Sequence, residues 1–250
     1  MNISGRSTMS TPKIVIAGGS GFIGSHLREL IPDAVNIDLK EGIDFCSNKA
    51  YEICEDADII ILLAAKHLEQ TKEMYTHNLH IYHALTKLCG PHIIFASSAA
   101  VYSPFPRPHP EHENISPSSL YGRSKALGER IIKDTRSNFT ILRFSNVFGD
   151  GDGHGVIDIF KNGGNLIYGD GYQVRDYIGV EHVAKAIQKV TDDTKLYSGL
   201  TFNISSGIGT TVNDLFDQYG SGRPIYRHKR IFDVPYSILN NNVAKRYGLL

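Results

Sequence analysis

The run KIVIAGGSGFIGSHL, residues 13–27, constrains the fold more than any other stretch of this chain. An apolar segment, Lys13 to Ala17, ends in glycines and passes directly into a helical pattern that starts at Phe22. A short, continuously apolar run is the signature of a strand buried on both faces. Gly18, Gly21 and Gly24 follow it at the spacing G-x-x-G-x-x-G. The first glycine permits a tight turn, the second lets backbone N–H groups approach a pyrophosphate, and the third lets helix pack closely on strand. Asp38 closes the next apolar segment, 20 residues after Gly18, where an acid would bind the ribose diol of a dinucleotide. A 2′-phosphate at that place would be repelled, which favours NAD over NADP.

The same alternation continues downstream. Strands are expected at Ala34–Asp38, Asp58–Ala65, His92–Ala96 and Phe139–Phe144, with helices at Phe22–Ile31, Glu69–Leu88 and Ser119–Arg136. Strands alternating with helices imply βαβ units and an α/β, doubly wound parallel sheet of the Rossmann kind. A proline-rich loop, residues 103–117, interrupts the pattern. After Gly149 the elements shorten: strands at Leu166–Tyr168, Tyr177–Val180 and Thr201–Ile204, helices at Val180–Val190, Val212–Gln218 and Asn241–Tyr247. The expected organisation is a lead-in at 1–12 and a dinucleotide-binding domain from 13–149 and about 176–204. A small α/β substrate lobe takes about 150–175 and 205–250, over the carboxyl ends of the strands where such sheets bind ligands.

Composition narrows the function classes. Lysine plus arginine equals aspartate plus glutamate at 26 each, so no global field points to nucleic acid or to a membrane surface. The longest apolar run, Ile59 to Ala65, is far short of the ~20 residues that span a bilayer. Cys46, Cys54 and Cys89 lack metal-ligand spacing and read as reduced thiols of a cytoplasmic protein. His77, His80 and His83 read as one face of a helix, not as a metal site.

Chemistry is concentrated in SLYGRSKALGER. Tyr121 and Lys125 stand four apart, on one face of the expected helix. An ammonium there favours the phenolate, so a phenol with an ordinary pKa of ~10 could act as a base near neutrality. Ser98, just past a strand at the sheet's carboxyl edge, could hydrogen-bond a reacting oxygen. Behind a dinucleotide cradle, these three point to hydride chemistry at a carbon bearing a hydroxyl.

Taken in order, GGSGFIGSHL, ILLAAK, FASSAAVY, YGRSK, LRFSNVFG, YGDGYQVRDYIGV and FNISSG resemble the extended short-chain dehydrogenase/reductase family, in its nucleotide-sugar epimerase/dehydratase branch, across nearly the whole chain. The C-terminal lobe is short beside that family's pattern. The resemblance implies that Tyr121 is the general base, that Lys125 lowers its pKa and holds the nicotinamide ribose, and that Ser98 binds the reacting oxygen. It places Phe22, Ile23, Asp44, Phe45, Ala64, Ala65, Lys66 and Phe144 with the glycines and Asp38 at NAD. It places Ser97, Asn146, Arg175, Arg230 and Asp233 with Ser98 at a nucleoside-diphosphate sugar. Ser237 matches a position that gates the sugar's 2-substituent, where a small residue would admit an N-acetyl group.

Dehydratases of the branch usually follow the catalytic hydroxyl with an Asp-Glu pair, whereas Ser98 is followed by Ala99 and Ala100. The resemblance therefore implies an NAD-dependent 4-epimerase acting on a UDP-hexose or UDP-N-acetylhexosamine. A 4-keto-sugar reductase using NAD(P)H is the alternative, and a non-catalytic NAD-binding regulator a third reading. Helices Glu69–Leu88 and Ser119–Arg136 resemble the pair that forms a homodimer interface in this family.

Overall fold

The computed structural model describes residues 11–67, 70–151, 155–229 and 233–250. Its strands are β1 (Ile14–Ala17), β2 (Val35–Ile37), β3 (Ile59–Leu62), β4 (His92–Ser98), β5 (Phe139–Phe144), β6 (Asn146–Phe148), β7 (Leu166–Tyr168), β8 (Val174–Gly179), β9 (Leu200–Ile204), β10 (Gly209–Thr211), β11 (Ile225–Arg227) and β12 (Tyr236–Ser237). Its helices are α1 (Phe22–Leu30), α2 (Asn48–Glu55), α3 (Lys72–Leu85), α4 (Leu120–Thr135), α5 (Val156–Lys161), α6 (Val180–Asp192), α7 (Thr194–Tyr197), α8 (Val212–Tyr219) and α9 (Asn242–Arg246).

Six strands form one sheet in the order β2-β1-β3-β4-β5-β9, each neighbouring pair parallel. Neighbouring residues along a strand point to opposite faces. Ile16, Ile61, Ile94 and Leu142 therefore pack with Leu27 of α1 and Val183 and Ile187 of α6. Val15, Ile60, Phe95 and Ile141 pack on the other face with Tyr82 of α3 and Ile132 of α4. Both faces are covered, which explains why these strands read as unbroken apolar runs. The expected doubly wound α/β sheet is present.

The remaining strands build the lobe. β8 is antiparallel to β10 and parallel to both β12 and β6, while β7 pairs with β11. A satellite core of Ile157, Phe160, Ile167, Val212, Leu215 and Phe216 lies beneath them. Two segments fall differently from the sequence-based division, one at its boundary near residue 176 and one within 205–250. All of β8 belongs to the lobe's sheet, and Ala244 of α9 with Leu249 packs into the core of the large sheet. Asp176, fully buried, ties the two parts together. Its carboxylate accepts from Ser206 N (3.0 Å), Ser206 Oγ (2.8 Å), Gly207 N (3.1 Å) and Leu239 N (3.3 Å).

Candidate active site

The strand order reverses between β1 and β3, and a cleft of about 820 Å³ opens at the carboxyl ends of the strands. Its floor is the β1–α1 turn. Gly18 has φ +92°, and a Cβ there would stand 2.7 Å from Ala64 N. A Cβ on Gly24 would stand 2.3 Å from Gly18 O, so helix and turn could not approach as they do. The N-cap of α1 is Gly21, which supplies no side-chain cap and leaves the first N–H groups of the helix available as an anion site. These features fit a dinucleotide pyrophosphate.

At the far end of β2, Asp38 accepts from Ser20 N (3.0 Å) and from Lys40 N (2.8 Å), which fixes its carboxylate beside the glycine turn. Two cations that could have attracted a 2′-phosphate are engaged. Arg28 pairs with Glu41 at 3.4 Å, and Lys40 Nζ donates to Ser20 O at 2.9 Å. The ribose end of the site is thus acidic, as NAD requires.

Gly18, Gly21, Phe22, Ile23, Gly24, Ala65, Ser97, Ser98, Tyr121, Lys125, Phe144, Asn146, Arg175 and Asp233 all line this one cleft. Ala64 and Lys66 flank Ala65, and Asn78 of α3 clamps the loop by accepting from Lys66 N (2.8 Å) and donating to Lys66 O (2.9 Å). Asp44 and Phe45 do not reach the cleft. The Asp44 carboxylate accepts from Cys46 N at 2.8 Å, and Phe45, in the core cluster with Ala50 and Cys54, lines a separate pocket of about 240 Å³. Arg230 lies outside the described residues, and Ser237 lines a smaller chamber beside Ser98.

β4 carries Ser98 to the cleft, and α4 brings Tyr121 and Lys125 on successive turns. α4 is capped by Ser119, whose Oγ accepts from Gly122 N at 3.0 Å, while Gln70 accepts from Tyr121 N at 3.1 Å. Gly122 must lack a side chain, because a Cβ would come within 2.1 Å of Ala100 O. That close approach presses the start of α4 against the end of β4 and so brings Tyr121 to Ser98. Burial pushes the Tyr121 phenol up to about 12, against a hydrogen bond with Ser98 that lowers it. Burial likewise pushes Lys125 down to about 7, against Glu129, which raises it. Lys125 Nζ donates to Ala96 O at 2.6 Å and lies 5.9 Å from the Tyr121 ring centroid. The simple expectation that the ammonium makes the phenol a base near neutrality is therefore outweighed, in the protein alone, by desolvation of both groups.

Sequence reasoning missed the layer behind these residues. Glu129, one turn past Lys125, accepts from Ser97 Oγ (2.5 Å) and from Arg143 Nε (2.9 Å) and Nη2 (2.7 Å). All three are buried. Arg143, the one charge in the buried strand FTILRF, was the available signal, because a charge inside a buried strand needs a partner. On the lobe side, Arg175 bonds Asp233 and Val234 O and donates from Nη1 to Val174 O at 2.8 Å. Asn146 Nδ2 donates to Asp176 O at 3.0 Å. The cleft thus runs from a backbone cradle, past a serine, a phenol and an amine, to an arginine fork suited to phosphate oxygens.

Comparison with known proteins agrees with this layout. Residues 14–205 match the model of the NAD dependent epimerase/dehydratase family. A putative UDP-glucose 4-epimerase of Methanocaldococcus jannaschii is 32% identical over 89% of this chain and 86% of its own length. Among solved structures, UDP-glucose 4-epimerase of Thermotoga maritima with UDP-glucose superposes with a TM-score of 0.79 at 27% identity, covering 94% of this chain and 92% of that one. UDP-N-acetylglucosamine 4-epimerase of Methanobrevibacter ruminantium, in complex with UDP-N-acetylmuramic acid, gives a TM-score of 0.79 at 27% identity over 96% and 92%. With its glycine cradle, acidic ribose end and matched family model, this chain belongs to the NAD-dependent epimerase/dehydratase family.

Proposed function

We propose that the chain is a UDP-sugar 4-epimerase that oxidises the sugar transiently at C4 and returns the hydride to the other face. The observation that carries this reading is the convergence of Ser98, Tyr121, Lys125 and Arg175 on one cleft whose serine is followed by Ala99 and Ala100. Neither alanine can transfer a proton, so the acid–base pair that eliminating water would need is missing from those positions. NAD supplies the hydride acceptor and donor when bound. Tyr121 accepts the proton of the 4-hydroxyl and later returns it, and Ser98 holds the oxygen that bears it. Lys125 in its charged form stabilises the phenolate, offsetting the burial that raises Tyr121. Arg175, released from Asp233 or shared with it, holds the diphosphate while the hexose turns. Arg230 and Asp233 would complete the nucleotide contacts, and Ser237 would leave room for an N-acetyl group on a UDP-N-acetylhexosamine.

Incubation of the purified protein with UDP-glucose, UDP-galactose and their N-acetyl forms tests this. Interconversion without net use of NADH is expected. Stoichiometric NADH consumption on a 4-keto sugar would support the reductase instead, and bound NAD without turnover would support a regulator. A homodimer through α3 and α4 is proposed as well. The two helices lie side by side on one face of the sheet, and light scattering at twice the 27.7 kDa chain mass would support it. No helix among the described residues is long and apolar enough to cross a membrane, and a cytoplasmic location is proposed.

A further inference from the structure

Beside the main cleft lies a second chamber of about 250 Å³, with Ser98 and Tyr121 at its boundary and Tyr102, His109, Ser145 and Ser237 in its wall. Sites for drug-sized molecules run from roughly 300 to 1,000 Å³. The main cleft falls in that range. The chamber falls below it, so it suits a single sugar ring or its substituents and not a nucleotide.

Two side chains of this wall carry buried polar atoms with no hydrogen-bond partner among the described residues, His109 Nε2 and Ser145 Oγ. His109 is 1% exposed and Ser145 8%. An unmet buried donor or acceptor costs about 1–3 kcal/mol, so both atoms call for a partner. Everything else about His109 is paired. Its Nδ1 lies 3.0 Å from Glu113 Oε2, and Arg107 holds the other oxygen of Glu113 at 3.1 Å. Its ring stacks on Tyr102 at 5.0 Å and 14°. Its N–H donates to Ile238 O, and its carbonyl accepts from Asn240 N, each at 3.0 Å. Tyr102 is itself fixed, donating to Asn203 Oδ1 at 2.9 Å and accepting from Arg143 at 2.6 Å. Of the two ring nitrogens, Nδ1 is engaged and Nε2 has no partner among the described residues.

We infer that His109 and Ser145 are specificity-determining residues that bind hydroxyl groups of the hexose while Tyr121 works at C4. The inference rests on the epimerase reading above and deepens it. In the tautomer whose Nδ1–H donates to Glu113, Nε2 offers a lone pair and takes the O–H of a sugar hydroxyl. The Ser145 hydroxyl can donate or accept, one residue before Asn146 in the main cleft. Among the described residues the cation in this wall, Arg175, is already paired with Asp233, so the chamber suits a neutral hexose better than a hexuronate.

Calorimetric titration of the NAD-loaded protein with UDP, UDP-glucose, UDP-glucuronate and the 2-, 3- and 6-deoxy forms of UDP-glucose tests the assignment. The unmodified protein should bind UDP-glucose more tightly than UDP or UDP-glucuronate, and at least one deoxy form about tenfold more weakly. His109→Leu should lose about tenfold in UDP-glucose affinity, leave UDP unaffected, and cease to distinguish that deoxy form. Ser145→Ala, a smaller change, should act likewise on a different or the same hydroxyl, and it decides the matter if His109→Leu also loses UDP. Variants that keep the full preference for UDP-glucose and for each hydroxyl would overturn the assignment while leaving the epimerase reading intact. A parent protein that binds UDP-glucose no better than UDP would also overturn the assignment, whereas the epimerase reading falls only if none of the UDP-sugars is interconverted.

Discussion

The two ends of the cleft are built from different materials. At the cofactor end the chain uses backbone: three glycines, an uncapped helix start and one carboxylate held by two amides. At the substrate end it uses long side chains from distant segments, with Arg175 of β8 reaching Asp233 across 58 residues of sequence. A backbone cradle is specified by which residues lack a Cβ, so it is local and tolerates little change. A side-chain site is assembled by packing, so single losses there should reduce binding without destroying it.

The contrast sets the order of expected effects. Tyr121→Phe sits where the two ends meet and should reduce turnover by at least ~10²–10⁴-fold, with NAD still bound on fluorescence titration. Retained turnover would remove Tyr121 from the chemistry. Gly24→Ala should cost about 1–3 kcal/mol of stability through the clash with Gly18 O and should abolish NAD binding, read by melting temperature and cofactor content. An unchanged cofactor content would mean that the turn is not a tight cradle. Arg175→Ala should raise KM for the UDP-sugar by about tenfold or more with little change in NAD affinity. A matched loss of NAD would blur the two ends into one.

The smallest effect is on stability and concerns the charge of Lys125. Burial lowers its pKa from 10.5 to about 7, so the folded protein binds fewer protons than the unfolded chain between those values. Stability linked to this group is therefore complete above pH 10.5 and falls as pH drops toward 7. Lys125→Met should be inactive yet no less stable than the parent at pH 7, with its relative advantage shrinking as pH rises toward 10. Chemical denaturation across that interval checks the sign, and an advantage that grew with pH would contradict it.

What was legible in the sequence follows the same division. β5 and β7 have the expected bounds, and α1, α3, α4 and α6 end within a few residues of theirs, because apolar periodicity and glycine punctuation are local. α2, α5 and β11 went unread: each is short, and α2 buries only Ala50 and Cys54. β8 begins earlier than its apolar residues suggest, since Arg175 and Asp176 are polar for reasons of the site and of loop anchoring. Phe45, placed at the cofactor by the resemblance, has its side chain in the core, and no spacing assigns a role to His109, Glu129 or Arg143. Their importance depends on partners brought together by the fold, which no spacing rule reveals.

The decisive measurement follows a deuterium placed at C4 of UDP-glucose through turnover by the NAD-loaded protein, in the presence of excess unlabelled NADH, by NMR and mass spectrometry. An epimerase of the proposed kind yields UDP-galactose with the deuterium still at C4, because the hydride leaves and returns within one closed cleft. Deuterium lost to free cofactor, or a C4 centre whose configuration never changes, would contradict the assignment of this cleft.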